Sequence, residues 1–396
     1  MKICILSYRF FTGGFTGSLL PLLKHLNSAG IQVDLMLFEK NDEMNVDTSF
    51  VNIIYNTTPK RHMSRIEKAV RLFFTPHFRE ERVYRKAHKD DADIVYRNDV
   101  FYGQTLNRFY VKEYTKKCDL SEYDCVIAWE EGFTSYFLAN NVIAKKKIGY
   151  IHPDYQRARF CKYADEIALK GLDKIAFVSN ATTKSFKEAI PSLADKAICI
   201  PNTLVVKEII DKSKEKTETF EKGEFDIISV CRLDNVSKAL DRAVRVSARL
   251  KADGLKFKWY FVGDGVSREK MEGWIKEYNV EDTVILLGEK HNPHPYTVNA
   301  DLFVLQSYYE GKPMSVSEAM ILETPVMISH FASAYEQVQD NVTGFIAENN
   351  EDAIYEKLKE LITNKDKLKT VRENLSKIDK HQTFEDITPF LDAVKN

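Results

Sequence analysis

The chain has 396 residues, 44% of them hydrophobic and 29% charged; at roughly 100–200 residues per domain this length implies about two domains, and the balance excludes a long disordered chain. A formal net charge of -1 gives no general attraction to nucleic acid, and no reading motif accompanies the one basic stretch, so no nucleic-acid partner is expected. Six scattered cysteines (Cys4, Cys118, Cys125, Cys161, Cys199, Cys231) lack the paired spacing of a zinc site or disulfide framework and fit reduced thiols in the cytosol.

The chain opens on a strand-like run, Lys2–Ser7, without the basic segment and apolar stretch of an export signal. No apolar run approaches the ~20 residues of a spanning helix, so a cytoplasmic location with at most peripheral membrane contact is expected. Gly13, Gly14 and Gly17 lie between this strand and a first helix, Leu19–Ala29; the segment reads either as a flexible loop able to approach a ligand or as a tight turn. Strands are predicted at Gln32–Phe38 and Val51–Tyr55. Lys60–Lys89 then departs from the rhythm, being rich in Lys and Arg and interleaved with Leu72, Phe73, Phe74 and Phe78. It reads as a surface for anionic membrane or as a solvated helical excursion with an apolar core face. Further strands are predicted at Cys125–Trp129, Lys147–Ile151, Lys174–Val178 and Ala197–Ile200, with a helix at Thr182–Ala189. Pro201-Asn202 marks where the first domain ends, and the charged, aperiodic Lys212–Glu224 reads as an exposed linker.

The second half repeats the pattern, with strands at Asp226–Cys231, Lys258–Val262, Val284–Leu287, Leu302–Leu305 and Val326–Ile328. Short apolar runs alternating with amphipathic segments predict an α/β fold with a buried parallel sheet in each half. The expected domains are 1–205 and 206–383, with a final helix, Phe384–Val394, within 384–396.

The most informative segment is Ser307–Val326, which places Glu310 and Glu318 eight positions apart across a strand-to-helix turn. Pro313 suits the first turn of a helix, so Glu310 would sit on the preceding loop and Glu318 about one turn inside. Gly311 permits close backbone approach, and the amides around Lys312, Met314 and Ser315 could bind an anion such as a diphosphate. Solvated surface acids are the alternative. In Ser229–Leu240 a strand ends in Arg232 and a helix starts at Lys238; beyond the carboxyl ends of strands, both cations suit a diphosphate. Gly263 and Gly265 also follow a strand, but Arg268 stands where a dinucleotide fingerprint needs its third glycine, which excludes a dehydrogenase. They read as a turn that can flank a bound base. His152 follows another strand, at a cleft-facing position or as a structural histidine.

Together these segments resemble glycosyltransferase family 4, the retaining transferases of the GT-B fold, in which two Rossmann-like domains face each other across a cleft. The resemblance is strongest over Phe225–Phe345, through Arg-x5-Lys, "VGDG", the run ending at Gly288, the two acids, "ETPV" and "NVTGF". It implies that Arg232 and Lys238 neutralise the donor diphosphate, Glu318 holds the ribose hydroxyls, and Glu310 with the backbone after Gly311 orients the donor sugar. Gly263 and Gly288 belong to the base-binding edges, His152 touches the donor sugar, Gly14 lies near the phosphates, and the last helix crosses back onto the first domain. It further implies a hexose or N-acetylhexosamine carried on a nucleotide, expected to be uridine diphosphate, and a saccharide or lipid-linked acceptor. No cofactor and no metal are expected, in keeping with the lack of a suitable D-x-D loop. Cys231, Ala239 and Glu323 stand where the family usually has Gly, and Gln306 where it often has Pro. A silent partner subunit of the same shape, or a nucleotide-sugar epimerase or phosphorylase, is the competing reading.

Overall fold

The structure, a computed structural model, describes residues 1–9, 14–39, 47–56, 111, 115–158, 160–216, 220 and 222–395. These form two compact units, Met1–Pro201 with Ile387–Asn396 and Asn202–Asp386. In the first, β1 (Lys2–Ser7), β2 (Gln32–Leu37), β3 (Asn52–Tyr55), β5 (Cys125–Ala128), β7 (Lys147–Ile151), β8 (Lys174–Phe177) and β9 (Ala197–Cys199) make a seven-stranded sheet in the order β3-β2-β1-β5-β7-β8-β9, every pair parallel. Two-residue strands β4 (Cys118–Asp119) and β6 (Val142–Ile143) pair apart from it. The second unit holds β10 (Asp226–Val230), β11 (Lys258–Val262), β12 (Val284–Gly288), β13 (Leu302–Leu305), β14 (Val326–Ser329) and β15 (Phe345–Ala347), in the parallel order β12-β11-β10-β13-β14-β15.

The central strands carry apolar residues on both faces because helices cover both sides of a parallel sheet; Ile227, Ile228, Leu302, Phe303 and Val304 are wholly buried. The helix Gly14–Ser28 puts Leu19, Leu22, Leu23 and Leu26 into the core of the first unit, the i, i+3, i+4, i+7 stripe of an amphipathic helix. Gly14 and Gly17 therefore belong to that helix and not to a loop. The cost of glycine there, about 1 kcal/mol each relative to alanine, is smaller than the gain from packing that stripe. Gly13 and Lys60–Lys89 lie outside the described residues.

Three further expectations are corrected. Lys212 and Ser213 close a helix, Val206–Ser213, inside the second unit, so the predicted linker is not a spacer between halves. Leu204, Val206 and Ile209 pack with Ile321 and Leu322, which takes residues 202–205 out of the predicted first domain. The last helix is two helices, Lys380–Phe384 and Thr388–Lys395. Glu385 between them accepts the Val206 N–H at 2.7 Å, and Pro389 sits in the first turn of the second helix, where a missing N–H is harmless. Phe390 and Val394 of that helix are buried in the core of the first unit.

Two of the positions where glycine was anticipated have left-handed backbones: Ala239 at φ 54° and Glu323 at φ 60°. A left-handed residue other than glycine costs roughly 1–2 kcal/mol. Glu323 offsets part of this through an ion pair with Lys380, a half-exposed contact worth about 0–1 kcal/mol. Glycine would also lose about 0.4–1 kcal/mol through its freer unfolded chain. Glu323→Gly should therefore be neutral or raise the melting temperature slightly in differential scanning calorimetry; a fall of several degrees would contradict the strain argument.

Candidate functional site

In each sheet the strand order reverses beside the first strand, with β10 between β11 and β13 and β1 between β2 and β5. Crossovers depart to opposite faces at such a point, and the crevice they leave beyond the carboxyl ends is where open α/β sheets bind ligands.

In the second unit the loop after β10 runs through Arg232 to a short helix, Asn235–Lys238, capped by Asp234, whose carboxylate accepts the Val236 N–H at 3.1 Å. The loop after β13 carries Ser307 and Glu310. Lys238 Nζ donates to Glu310 Oε1, and Ser307 Oγ donates to the same oxygen at 2.6 Å. Both charged side chains are largely buried, 15% and 12% exposed. Burial acts to lower the Lys238 pKa, but Glu310 outweighs it with help from Cys231, and the net shift is upward. Arg232 behaves differently: its side chain is 71% exposed and its guanidinium stands 3.7 Å from Asp234.

The neighbouring loop after β11 forms the floor of this turn. Cys231 N–H donates to Val262 O at 3.1 Å and Leu233 N–H to Asp264 O at 2.9 Å. A β-carbon on Gly263, at φ 141°, would lie 2.0 Å from Cys231 O, and one on Gly265 would lie 2.6 Å from Leu233 O. These glycines serve a close approach of two backbones, beyond the simple turn expected. Gly288 (φ 74°) ends β12 and accepts the Gly263 N–H at 2.9 Å.

Pro313 precedes the helix Met314–Ile321 and does not enter it; its ψ of 122° is extended. Among the described residues no side chain caps the first amides of this helix, so the N–H groups at Met314 and Ser315 keep their partial positive charge. Gln337 Nε2 donates to Pro313 O and to Ser317 Oγ, each at 2.8 Å, fixing the helix entry. Gly311 is buried just upstream and Lys312 half-buried. Glu318 is the fifth residue of the helix, and burial pushes its carboxyl up to about 7 against the opposing pull of Lys212. Among the described residues, no cluster of three or more His, Cys, Asp or Glu suited to a metal ion occurs.

In the first unit His152 follows β7, its Nε2 2.7 Å from Trp129 O and its ring stacked on Tyr150 at 5.5 Å. A carbonyl only accepts, so Nε2 carries the proton. Burial lowers the pKa to about 4 and keeps the ring neutral at physiological pH. Two acids that sequence reasoning passed over stand at the same sheet edge. Glu130, 7% exposed, accepts from the Tyr8 N–H and from Ser7 Oγ at 3.2 Å, and Glu131 accepts the His152 N–H at 3.4 Å. Desolvation pushes each carboxyl up to about 7. Their signal was visible: two consecutive acids directly after a wholly apolar strand.

Residues 210–378 match the family model of glycosyl transferases group 1. One curated relative is the N-acetylgalactosamine-N,N'-diacetylbacillosaminyl-diphospho-undecaprenol 4-alpha-N-acetylgalactosaminyltransferase of Campylobacter jejuni, 32% identical over 43% of this chain and 45% of that protein. Another is the poly(ribitol-phosphate) alpha-N-acetylglucosaminyltransferase of Staphylococcus aureus, 30% identical over 32% of this chain and 26% of that protein. The chain thus matches less than half the length of either. Among solved structures, a mutant of S. aureus TarM in complex with Fondaparinux, alpha-GlcNAc-glycerol and UDP aligns over 100% of both chains with a TM-score of 0.67 at 15% identity. Anabaena Alr3699/HepE in complex with UDP and glucose aligns over 100% of this chain and 98% of that one, with a TM-score of 0.67 at 16% identity. The two Rossmann-like units are those of the GT-B fold, and residues 210–378, which contain the Lys238–Glu310 pair, are similar to the glycosyl transferases group 1 family.

Proposed function

We propose that the chain is a retaining glycosyltransferase that moves a hexose or N-acetylhexosamine from a uridine diphosphate sugar to an acceptor hydroxyl, on a lipid-linked saccharide of polysaccharide or glycoconjugate assembly. The observation that carries the reading is the buried Lys238–Glu310 pair on the two loops that flank the β10/β13 reversal, beside an uncapped helix start. The names of the Campylobacter and Staphylococcus relatives, both N-acetylhexosaminyltransferases, support the sugar class. UDP in the TarM and HepE complexes supports the base.

In this reading Lys238, Arg232 and the amides at Met314 and Ser315 take the diphosphate, whose charge grows as the bond to the anomeric carbon stretches. Glu318 accepts from the ribose hydroxyls, and Gly263 and Gly288 border the base. Glu310 and the backbone from Gly311 to Pro313 orient the sugar, with Lys312 adding a cation. Retention without a protein nucleophile follows if the leaving phosphate oxygen takes the acceptor's proton on the face it leaves from; the protein then contributes position and field. No divalent metal is required, so EDTA should leave the rate unchanged. Among the described residues no helix is long and apolar enough to cross a membrane, and a lipid-linked acceptor would be met at the surface.

The test is thermal stabilisation across a panel of nucleotides and nucleotide sugars, followed by release of UDP. A ligand at about 100 times its Kd adds about 2.7 kcal/mol. UDP and one UDP-sugar should raise the melting temperature by several degrees, while ADP and GDP should not. A panel without any shift, and no UDP released with any acceptor fraction, would sink the reading.

A further inference from the structure

Helix Leu240–Ala252 carries Arg242, a guanidinium only 2% exposed. Its Nε donates to Gln306 Oε1 at 3.0 Å, one terminal nitrogen donates to Gln306 O, and the other donates to Asn349 Oδ1 at 2.8 Å. The group also lies over the Tyr308 ring, 4.8 Å from its centroid. Every one of these partners is neutral; the nearby acids Asp241 and Glu351 are engaged by Arg245. A buried cation is costly unless its donors are satisfied, and here they are met by two side-chain amide oxygens and one backbone carbonyl.

The partners extend the grip. Gln306 Nε2 donates to Ala239 O at 2.7 Å and to Lys238 O at 3.3 Å. Asn349 Nδ2 donates to Tyr308 O at 3.0 Å and Ser307 O at 3.2 Å, and Ser329 Oγ donates to Ser307 O at 2.6 Å. Tyr308 N–H closes the set on Ser237 O at 2.8 Å. Three segments distant in sequence therefore converge on one guanidinium: the turn that presents Lys238, the loop that presents Ser307 and Glu310, and the loop before helix Glu351–Thr363. Gln306 stands where the family often has Pro, and a proline has no amide to bridge the Lys238 turn.

We propose that Arg242 and Gln306 are positioning residues for sugar transfer: they clasp the Ser237–Ala239 turn to the Gln306–Glu310 loop and so set the distance and direction of the Lys238–Glu310 pair. Neither touches the donor. The inference rests on the reading of that pair as the group that faces the diphosphate and the sugar. It predicts a loss at the reacting end of the donor, where a small displacement is expensive, with the nucleoside end held as before.

Two variants test it with the full chain and UDP-sugar turnover. Arg242→Lys keeps the charge but cannot fork to Gln306 and Asn349 together. Gln306→Glu keeps an acceptor for Arg242, now as an ion pair, and removes the donor to Ala239 O and Lys238 O. Each should fold, checked by its melting curve, and each should lose about tenfold or more in kcat with donor KM changed less than about threefold. If Arg242→Lys does not fold, Gln306→Glu alone decides, because its grip on Arg242 is preserved. A kcat within about threefold of the parent, or a loss confined to KM, would overturn the clasp while leaving the transferase reading intact. A parent chain that transfers no sugar would overturn both, and it would do so before any variant is made.

Discussion

Glu310→Gln should lower turnover by about 100-fold or more while UDP still binds. The amide keeps the size and can still accept from Ser307, so the loop after β13 stays in place. What disappears is the charge that holds Lys238. Without its partner, burial is the main influence left on Lys238 and its pKa falls, which weakens the cation proposed to meet the diphosphate. Removing one member of a largely buried pair also costs stability, up to about 3–5 kcal/mol for complete burial; at 15% and 12% exposure the loss should be smaller. Arg232→Ala is the companion variant. Its side chain is mostly in solvent, so the fold should be unaffected, and a turnover loss of about 100-fold would then report a contact made only with donor in place. Initial rates of UDP release, set beside melting curves, separate the two effects. Full activity in both variants would remove the basis for the site.

Gly263→Ala should strongly destabilise the second unit. Its β-carbon would stand 2.0 Å from Cys231 O and 3.0 Å from Cys231 C, and no flexible side chain is available to yield. The residue also has φ 141°, a conformation that L-residues occupy at a cost of about 1–3 kcal/mol. Adding the overlap, a loss of about 2–4 kcal/mol is expected, or roughly 5–15 °C in melting temperature for a unit of this size. The protein that remains folded should bind UDP poorly, because relief of the clash displaces the turn from Cys231 to Leu233 that carries Arg232. Gly273→Ala is the control: in helix Arg268–Glu277 its β-carbon meets nothing within 4 Å, and alanine should be neutral or add up to about 1 kcal/mol. Equal melting temperatures for both variants would refute the close-approach argument.

The strands expected from the chain lie within a residue or two of those observed because a strand buried on both faces writes itself as a short apolar run; the short β4, β6 and β15 were not among them. Asp226–Val230, Lys258–Val262 and Leu302–Leu305 have the limits, or nearly the limits, that the runs suggest. The spacing of Glu310 and Glu318 also carried, since strand, loop and helix are consecutive in sequence and local propensity decides them. Helix ends did not carry as well: Gly14 and Gly17 suggest a loop or a tight turn in sequence, yet they lie in the helix because packing of the leucine stripe, a tertiary gain, overrides their weak propensity.

The amino-acid sequence by itself determined the α/β alternation, the two sheets and the residue types of the candidate site. Which of those residues meet was decided only in three dimensions. Lys238 and Glu310 are 72 positions apart and pair because β13 lies against β10 although two strands separate them along the chain. The same adjacency brings Arg242 to Gln306, 64 positions away. Periodicity reports how each segment turns and which face it buries; it holds no record of strand order, and strand order determines which side chains are neighbours.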